Sequence, residues 1–366
     1  MKNKEVLFVS NFFGDGGAAR VISVLAEELA NRGYAVTVCS YPRKDREEYR
    51  RAANVKYVRF EMKHRKGVLY KIERIAKLRK EIRKHKDATV ISFEYFMNMQ
   101  TVVAMAGLRN RLIISERNDP AAVGGKTPTR QLRNFLYGFA DCLVCQTRDA
   151  LEYFPKNIQR KSTVIMNPIK ENLPEPWQGE RKKQVVNFCR LEKQKNLPLL
   201  IDAFEAFYQT HPDYTLVIYG NGKERDSLTE YIRTKKLEKV ITLHPAVQDV
   251  HDRVKDAEMF VSSSDYEGLS NSMIEAMAIG LPVICTDCPC GGARMVIADG
   301  VNGLLVPMKD KEALAEKMRN VAEDGSLRER LSQNAKLISA ELSARKITDL
   351  WISAIAEGKN ENFSMR

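Results

Sequence analysis

The chain has 366 residues and a mass of 41.7 kDa, beyond the roughly 250–300 residues at which one core stops growing, so two domains of ordinary size are expected. No stretch approaches the ~18 apolar residues of a membrane span, the apolar run at the start is too short for a signal peptide, and seven scattered cysteines do not make a disulfide framework, which together predict a cytosolic chain with reduced thiols. The net charge of +12 is uneven: residues 1–168 carry 32 Lys and Arg against 17 Asp and Glu, residues 169–366 carry 27 against 30, so the first half points to an anionic partner.

In chain order, short apolar runs predict strands at 6–10, 35–40, 55–60, 89–93, 112–115, 142–146 and 163–166, separated by amphipathic stretches, as a parallel sheet covered by helices requires. Residues 18–31 place Val21, Val24, Leu25 and Leu29 at helical spacing with Gly33 as a stop, completing a βαβ unit. Residues 63–86 hold eleven cations against Glu73 and Glu81. There Val68, Ile72, Ile75, Leu78 and Ile82 form an apolar stripe, predicting a basic amphipathic helix suited to an anionic membrane or a polyprenyl pyrophosphate, or a solvated helix face. Cys142 and Cys145 fall in a strand-like run that turns them to opposite faces, which reads as structural rather than redox chemistry. A Pro-rich, charged stretch then marks a linker at 169–183. Beyond it, strands are predicted at 185–189, 216–219, 240–243, 259–262 and 283–285, with helices at 197–208 and 270–278 among them. The expected division is a domain at 1–168, the linker, a second domain at 184–343, and a terminal segment 344–366 whose helix can pack on either domain, including back on the first.

Three loops carry the chemistry. The first strand opens into a turn containing Gly16 and Gly17 that leads into a helix; glycines allow close backbone approach and a helix start favours anionic oxygen, although the pattern is not the dinucleotide fingerprint. The strand at 185–189 is followed by Arg190 and Lys195, two cations at a strand mouth able to clamp a diphosphate, and the next strand by Tyr219-Gly220-Asn221-Gly222. Most specific is the segment from Glu267 to Glu275. It sets two carboxylates eight positions apart around Gly268, Leu269, Ser270 and Asn271, so that the acids can accept sugar hydroxyls while N–H groups of the helix start meet phosphate. Cys285, Cys288 and Cys290 lack neighbouring ligands to complete a zinc site, and no metal is expected.

With these residues in order, the chain resembles a family 4 retaining glycosyltransferase: an α/β protein of the GT-B fold, with two Rossmann-like domains facing across a cleft. The resemblance implies a UDP-sugar co-substrate and no resident cofactor. It implies that Arg190 and Lys195 hold the diphosphate, Glu267 the transferred sugar and Glu275 the ribose, that the backbone near Val247 meets the base, and that cations replace a metal at the leaving group. In the first half it narrows to bacterial transferases that extend lipid-linked glycans, of the kind that polymerises GalNAc on an N-glycan precursor. Lys71, Arg74, Lys77 and Arg117 are then candidates for the acceptor. Glu116 stands near the position where many relatives carry His or Asp; it either orients a substrate or pairs structurally with Arg117. The implied partners are a polyprenyl-pyrophosphate-linked glycan and the anionic inner face of the cytoplasmic membrane. Competing readings are a sugar-nucleotide epimerase, a glucan synthase on the same frame, or a nucleic-acid-binding protein using the basic half. Against the last, the basic segment lacks interleaved aromatics.

Overall fold

The computed structural model describes residues 4–14, 16–41, 52–64 and 66–356, which leaves Arg65 of the basic run outside. Two units divide the chain: Met1–Pro168 with Ser343–Arg366, and Ile169–Leu342.

The first unit holds β1 (Glu5–Val9), β2 (Ala35–Ser40), β3 (Lys56–Arg59), β4 (Thr89–Phe93), β5 (Leu112–Ser115), β6 (Cys142–Cys145) and β7 (Ser162–Val164) in one parallel sheet of order β3-β2-β1-β4-β5-β6-β7. Strands β4, β5 and β6 are buried along their whole length, because helices cover both faces. Those helices are α1 (Gly17–Asn31), α2 (Gly67–Ile82), α3 (Tyr95–Met105), α4 (Thr127–Tyr137), α5 (Arg148–Glu152) and α6 (Lys156–Gln159). Strand β7 ends at Val164, two residues before the predicted end, while Ile165 and Met166 are buried without continuing it. Cys142 and Cys145 are both buried and unbridged.

The expected apolar stripe of α2 is only half right. Leu78 and Ile82 face the core, but Val68 and Ile72 are exposed, and Arg74 and Glu81 go inside instead. Arg74 is accommodated because its guanidinium donates to Gln100 Oε1 at 3.0 Å, Tyr70 Oη at 2.9 Å and Asn11 Oδ1 at 2.8 Å and stacks 3.8 Å from the Tyr41 ring centroid.

The second unit has β8 (Lys182–Phe188), β9 (Thr215–Tyr219), β10 (Ile241–His244), β11 (Ala257–Ser262), β12 (Val283–Thr286) and β13 (Leu304–Val306), all parallel in the order β10-β9-β8-β11-β12-β13. Its helices are α7 (Leu197–Tyr208), α8 (Arg225–Thr234), α9 (Val250–Val254), α10 (Asn271–Ala278), α11 (Gly292–Val296), α12 (Lys311–Glu323), α13 (Gly325–Ala335) and α14 (Ile338–Glu341). Leu200, Phe204 and Phe207 of α7 meet Leu314 and Met318 of α12 in its core. Strand β8 begins at Lys182, inside the stretch read as a linker, and the three-residue β13 was not anticipated.

The last helix, α15 (Ala344–Ala356), belongs to the first unit and packs on α1. Trp351 is fully buried and stacks on Phe93 with centroids 5.5 Å apart, Arg32 of α1 pairs with Asp349, and Arg111 donates to the Ala354 carbonyl at 3.1 Å. Among the described residues no helix is long and apolar enough to cross a membrane.

Candidate functional site

In the second unit the strand order reverses between β8 and β11, and the loops that leave the carboxyl ends of these neighbours lie together. An open parallel sheet binds ligands at such a switch point. A dense polar lattice joins the two loops. The Asp265 N–H donates to the Gln194 carbonyl at 2.9 Å, Asn196 Nδ2 to Asp265 Oδ1 at 2.8 Å, and Ser263 Oγ to the carbonyls of Lys195 at 2.9 Å and Asn196 at 3.0 Å. Asn196 sits at φ 42, the left-handed region, which lets the 3₁₀ turn Lys193–Lys195 end and α7 start at once.

This lattice brings Lys195 onto Glu267. The ammonium and carboxylate form an ion pair, and Gln194 Nε2 donates to Glu267 Oε2 at 2.6 Å and to the Tyr266 carbonyl at 2.8 Å. Burial pulls the Lys195 ammonium below its ordinary value and nearby Arg190 pushes the same way, whereas the adjacent carboxylate favours the charged form. Arg190 is exposed, and its guanidinium makes no hydrogen bond or ion pair among the described residues. One predicted cation is therefore held against an acid while the other stands open to an anion.

Glu275 looks elsewhere. It lies buried on α10, where His251 Nε2 of α9 approaches its Oε2 at 2.9 Å, and the imidazole is wedged edge-on against Phe188 at 5.4 Å. Helix α10 starts under Ser270, whose Oγ accepts the Met273 N–H at 3.4 Å, so the helix's positive end lies in the loop formed by Gly268 and Leu269, both buried. That loop is packed so tightly that a Cβ at Gly292 would collide with the Gly268 carbonyl oxygen. The Gly220-Asn221-Gly222 turn is equally close-packed, since a Cβ at Gly220 or Gly222 would strike the carbonyl of Cys189 or Leu191. Asn221 Oδ1 accepts the Ala246 N–H at 3.2 Å, tying this turn to the loop with half-buried Val247, and Tyr219 stacks on His244 at 4.9 Å.

In the first unit, Gly16 is the N-cap of α1 in extended backbone with no atom within 4 Å of a Cβ built on it, and Gly17 opens the helix. Glu116 follows β5, buried, and accepts a hydrogen bond from Tyr137 Oη at 3.0 Å; Tyr137 in turn receives Asn98 Nδ2 at 3.1 Å. Burial lifts the Glu116 carboxyl to about 7, against the pull of Arg133 and Tyr137, and the charge of Glu94 adds to the rise. Glu94 itself sits at φ 75 after β4, a conformation that bulky side chains avoid.

Two expectations are corrected here. The side chains of Glu116 and Arg117 do not form an ion pair: the Arg117 backbone N–H serves the Glu116 carboxyl, but its guanidinium turns to Ser115 Oγ at 3.2 Å and to Asn167 and lies 5.0 Å from the Phe93 ring. Arg74 is not a surface cation: it is buried in the network described above. Lys77 is engaged with Glu73 at 3.1 Å and with the Glu61 carbonyl, while Lys71 is exposed.

Sequence reasoning missed Gln194, His251 and Tyr137. Gln194 lies between two flagged cations, and that position was the available signal; an isolated His or Tyr has none until the chain folds. Among the described residues no group of three or more His, Cys, Asp or Glu converges as a metal site.

Comparison with known proteins matches residues 169–338 to the family described as Glycosyl transferases group 1 and residues 15–173 to Glycosyltransferase Family 4. The chain is 27% identical, over 97% of its length and 99% of the other's, to the Campylobacter jejuni GalNAc-alpha-(1->4)-GalNAc-alpha-(1->3)-diNAcBac-PP-undecaprenol alpha-1,4-N-acetyl-D-galactosaminyltransferase. It is 25% identical, over 95% and 98%, to the amylovoran biosynthesis glycosyltransferase AmsD of Erwinia amylovora. Among solved structures, HepE of Anabaena in complex with UDP and glucose shares the fold with a TM-score of 0.81 at 18% identity, covering 96% of this chain and 99% of that one. The sucrose-phosphate synthase of Thermosynechococcus elongatus does so at 0.82 and 17%, covering 95% and 97%.

Proposed function

The chain belongs to the family 4 glycosyltransferases of the GT-B fold, and on that premise we propose that it moves a hexose or N-acetylhexosamine from a UDP-sugar, with retention, to a polyprenyl-pyrophosphate-linked glycan. The observation that carries this reading is the convergence of the neighbours Gln194 and Lys195 with Glu267, 72 positions beyond Lys195, at the switch point of the second unit's sheet.

In the proposed reaction the diphosphate takes Lys195 and the open guanidinium of Arg190, and Glu267, released from its cation and still held by Gln194, accepts hydroxyls of the sugar to be transferred. Glu275, held in place by His251, meets the ribose, and the α10 start and the loop with Val247 meet phosphate and base. As the glycosidic bond to the diphosphate breaks, negative charge grows on the leaving oxygen, where the two cations stabilise it. The incoming hydroxyl attacks from the same face and gives its proton to the leaving diphosphate, so no protein nucleophile is needed. The cations supply the charge neutralisation, without a metal.

Lys71 and Lys77 are the cations proposed for the acceptor's pyrophosphate, with the anionic inner membrane face as the surface on which it is presented. Whole-length likeness to a transferase named for an undecaprenol-linked substrate supports this acceptor class. Mass spectrometry of a lipid-linked acceptor incubated with a panel of sugar nucleotides tests the reading: one added sugar mass from a UDP-sugar upholds it. A change in the sugar nucleotide without acceptor would replace it with an epimerase.

A further inference from the structure

Two helices of the first unit bury charged side chains beside apolar ones, Leu78 and Ile82 in α2 and Tyr137 in α4, and turn other apolar residues outward. Helix α2 buries Arg74 and Glu81 and turns Val68, Leu69 and Ile72 to solvent. Helix α4 buries Arg133, which donates to the Pro120 carbonyl at 2.8 Å and lies over the Tyr153 and Phe154 rings, and turns Leu132 and Phe135 outward, with Phe139 just beyond its end. Helix α3 packs against both and adds Phe96 and Val103 to the same layer. Seven of the twelve exposed large hydrophobic residues among the described residues therefore belong to three adjacent helices, and an eighth, Phe139, lies just beyond α4. A water-facing helix ordinarily has the opposite polarity, and apolar surface gathered to this extent marks an interaction face.

The α4 part is the most developed. Phe135 and Phe139, each 65% exposed, pack edge to face at 5.2 Å. Phe139 also borders a groove of about 590 Å3, whose lining includes Val102, Val103, Leu136, Arg109, Arg111 and Asp141. Charge selects the occupant. Residues 120–140 include Lys126 and Arg130, besides the buried Arg133, and no acid; the nearby Asp141 accepts the Leu112 N–H at 2.7 Å; and Lys66 and Lys71 flank the apolar turn of α2. A second copy of the chain would set these cations against like charge, whereas an anionic bilayer offers phosphates to the cations and acyl chains to the rings.

We propose that this layer is where the chain enters an anionic lipid surface, with Leu132, Phe135 and Phe139 reaching the acyl boundary and Lys126 and Arg109 meeting headgroup phosphates. The inference rests on the membrane-associated reading above and goes beyond it: the basic stretch of α2 gives salt-sensitive attraction, and the α4 aromatics give attachment that salt does not remove.

The test is flotation of the full chain with vesicles of phosphatidylglycerol and phosphatidylcholine, against phosphatidylcholine alone, at low and high salt, for wild type and for the double variant Phe135→Ser, Phe139→Ser. Wild type should bind the anionic vesicles and keep part of that binding at high salt. The double variant should partition at least about tenfold less and lose all high-salt binding. Both rings are exposed, so the variant should keep its melting temperature and its transfer to a short water-soluble acceptor. Unchanged vesicle binding by the double variant overturns the proposal, as does a wild-type dimer in sedimentation velocity that the two changes dissolve. Absence of transfer in the wild type, with vesicle binding behaving as stated, would count against the enzymatic reading alone.

Discussion

Replacing Glu116 by glutamine should erase a pH-dependent step in stability. The carboxyl is buried beneath Tyr137, and burial raises it from an ordinary 4.5 to about 7. An acid raised on folding holds its proton more tightly in the native state. Its stabilising contribution is thus complete below about 4.5 and is lost as the pH climbs through about 7. At roughly 1.4 kcal/mol per pH unit of differential proton binding, this one group should make the protein about 2.5 kcal/mol less stable at pH 8 than at pH 5. Glutamine keeps an acceptor for the Tyr137 hydroxyl and cannot titrate. Urea unfolding of wild type and Glu116→Gln at the two pH values measures the difference of differences. Equal pH slopes for the two proteins would refute the reasoning. If Glu116 also touches the acceptor, kcat/KM of the wild type should bend near pH 7 and that of the variant should be flat there.

Lys195→Ala should lower transfer by about 100-fold or more while the unfolding free energy falls by only about 1 kcal/mol, since Gln194 still holds the Glu267 carboxylate; near-normal turnover would remove the proposed diphosphate clamp. Gly292→Ala drives a methyl into the Gly268 carbonyl and should displace the loop carrying Glu267, raising the Kd for UDP at least about tenfold, whereas Gly16→Ala, with open space around it, should leave the melting temperature alone. Calorimetric titration with UDP and a thermal melt check that pair. Trp351→Ala removes the ring stacked on Phe93 and should cost about 3–5 kcal/mol in urea unfolding, and a loss under 1 kcal/mol would mean that α15 is not part of the first unit's core.

Much of the fold could be read before folding because its signals are local. Continuous apolar runs announced β4, β5 and β6, and the pattern at 197–208 coincides with α7 at both ends. The failures share one cause, which is that a local pattern does not say what will press against it. Three residues of β13 are too few to show a period, and β8 starts three residues early because Lys182 and Lys183 run along the sheet with charged heads in solvent. In α2 the spacing pointed correctly to a helix and wrongly to its inner face, because Asn11, Gln100 and Tyr41 gather around Arg74 only once α3 and the β1 loop are in position.

The candidate site divides along the same line. Glycine turns after strands, two cations five positions apart and two acids eight apart are properties of the polymer, and from them alone the loops of the site and the chemistry of a diphosphosugar could be named. Which acid meets which partner was settled by tertiary structure: Glu267 beside Lys195 and Gln194, Glu275 beside His251, Glu116 under Tyr137 and away from the Arg117 guanidinium. Likewise the helix at 344–356 found its place on α1 through Arg32 and Asp349 and on β4 through Trp351 and Phe93. These pairings join residues tens to hundreds of positions apart, and only the burial of a common core holds such residues at bonding distance. Sequence spacing carries the type of each group, and packing assigns it a neighbour.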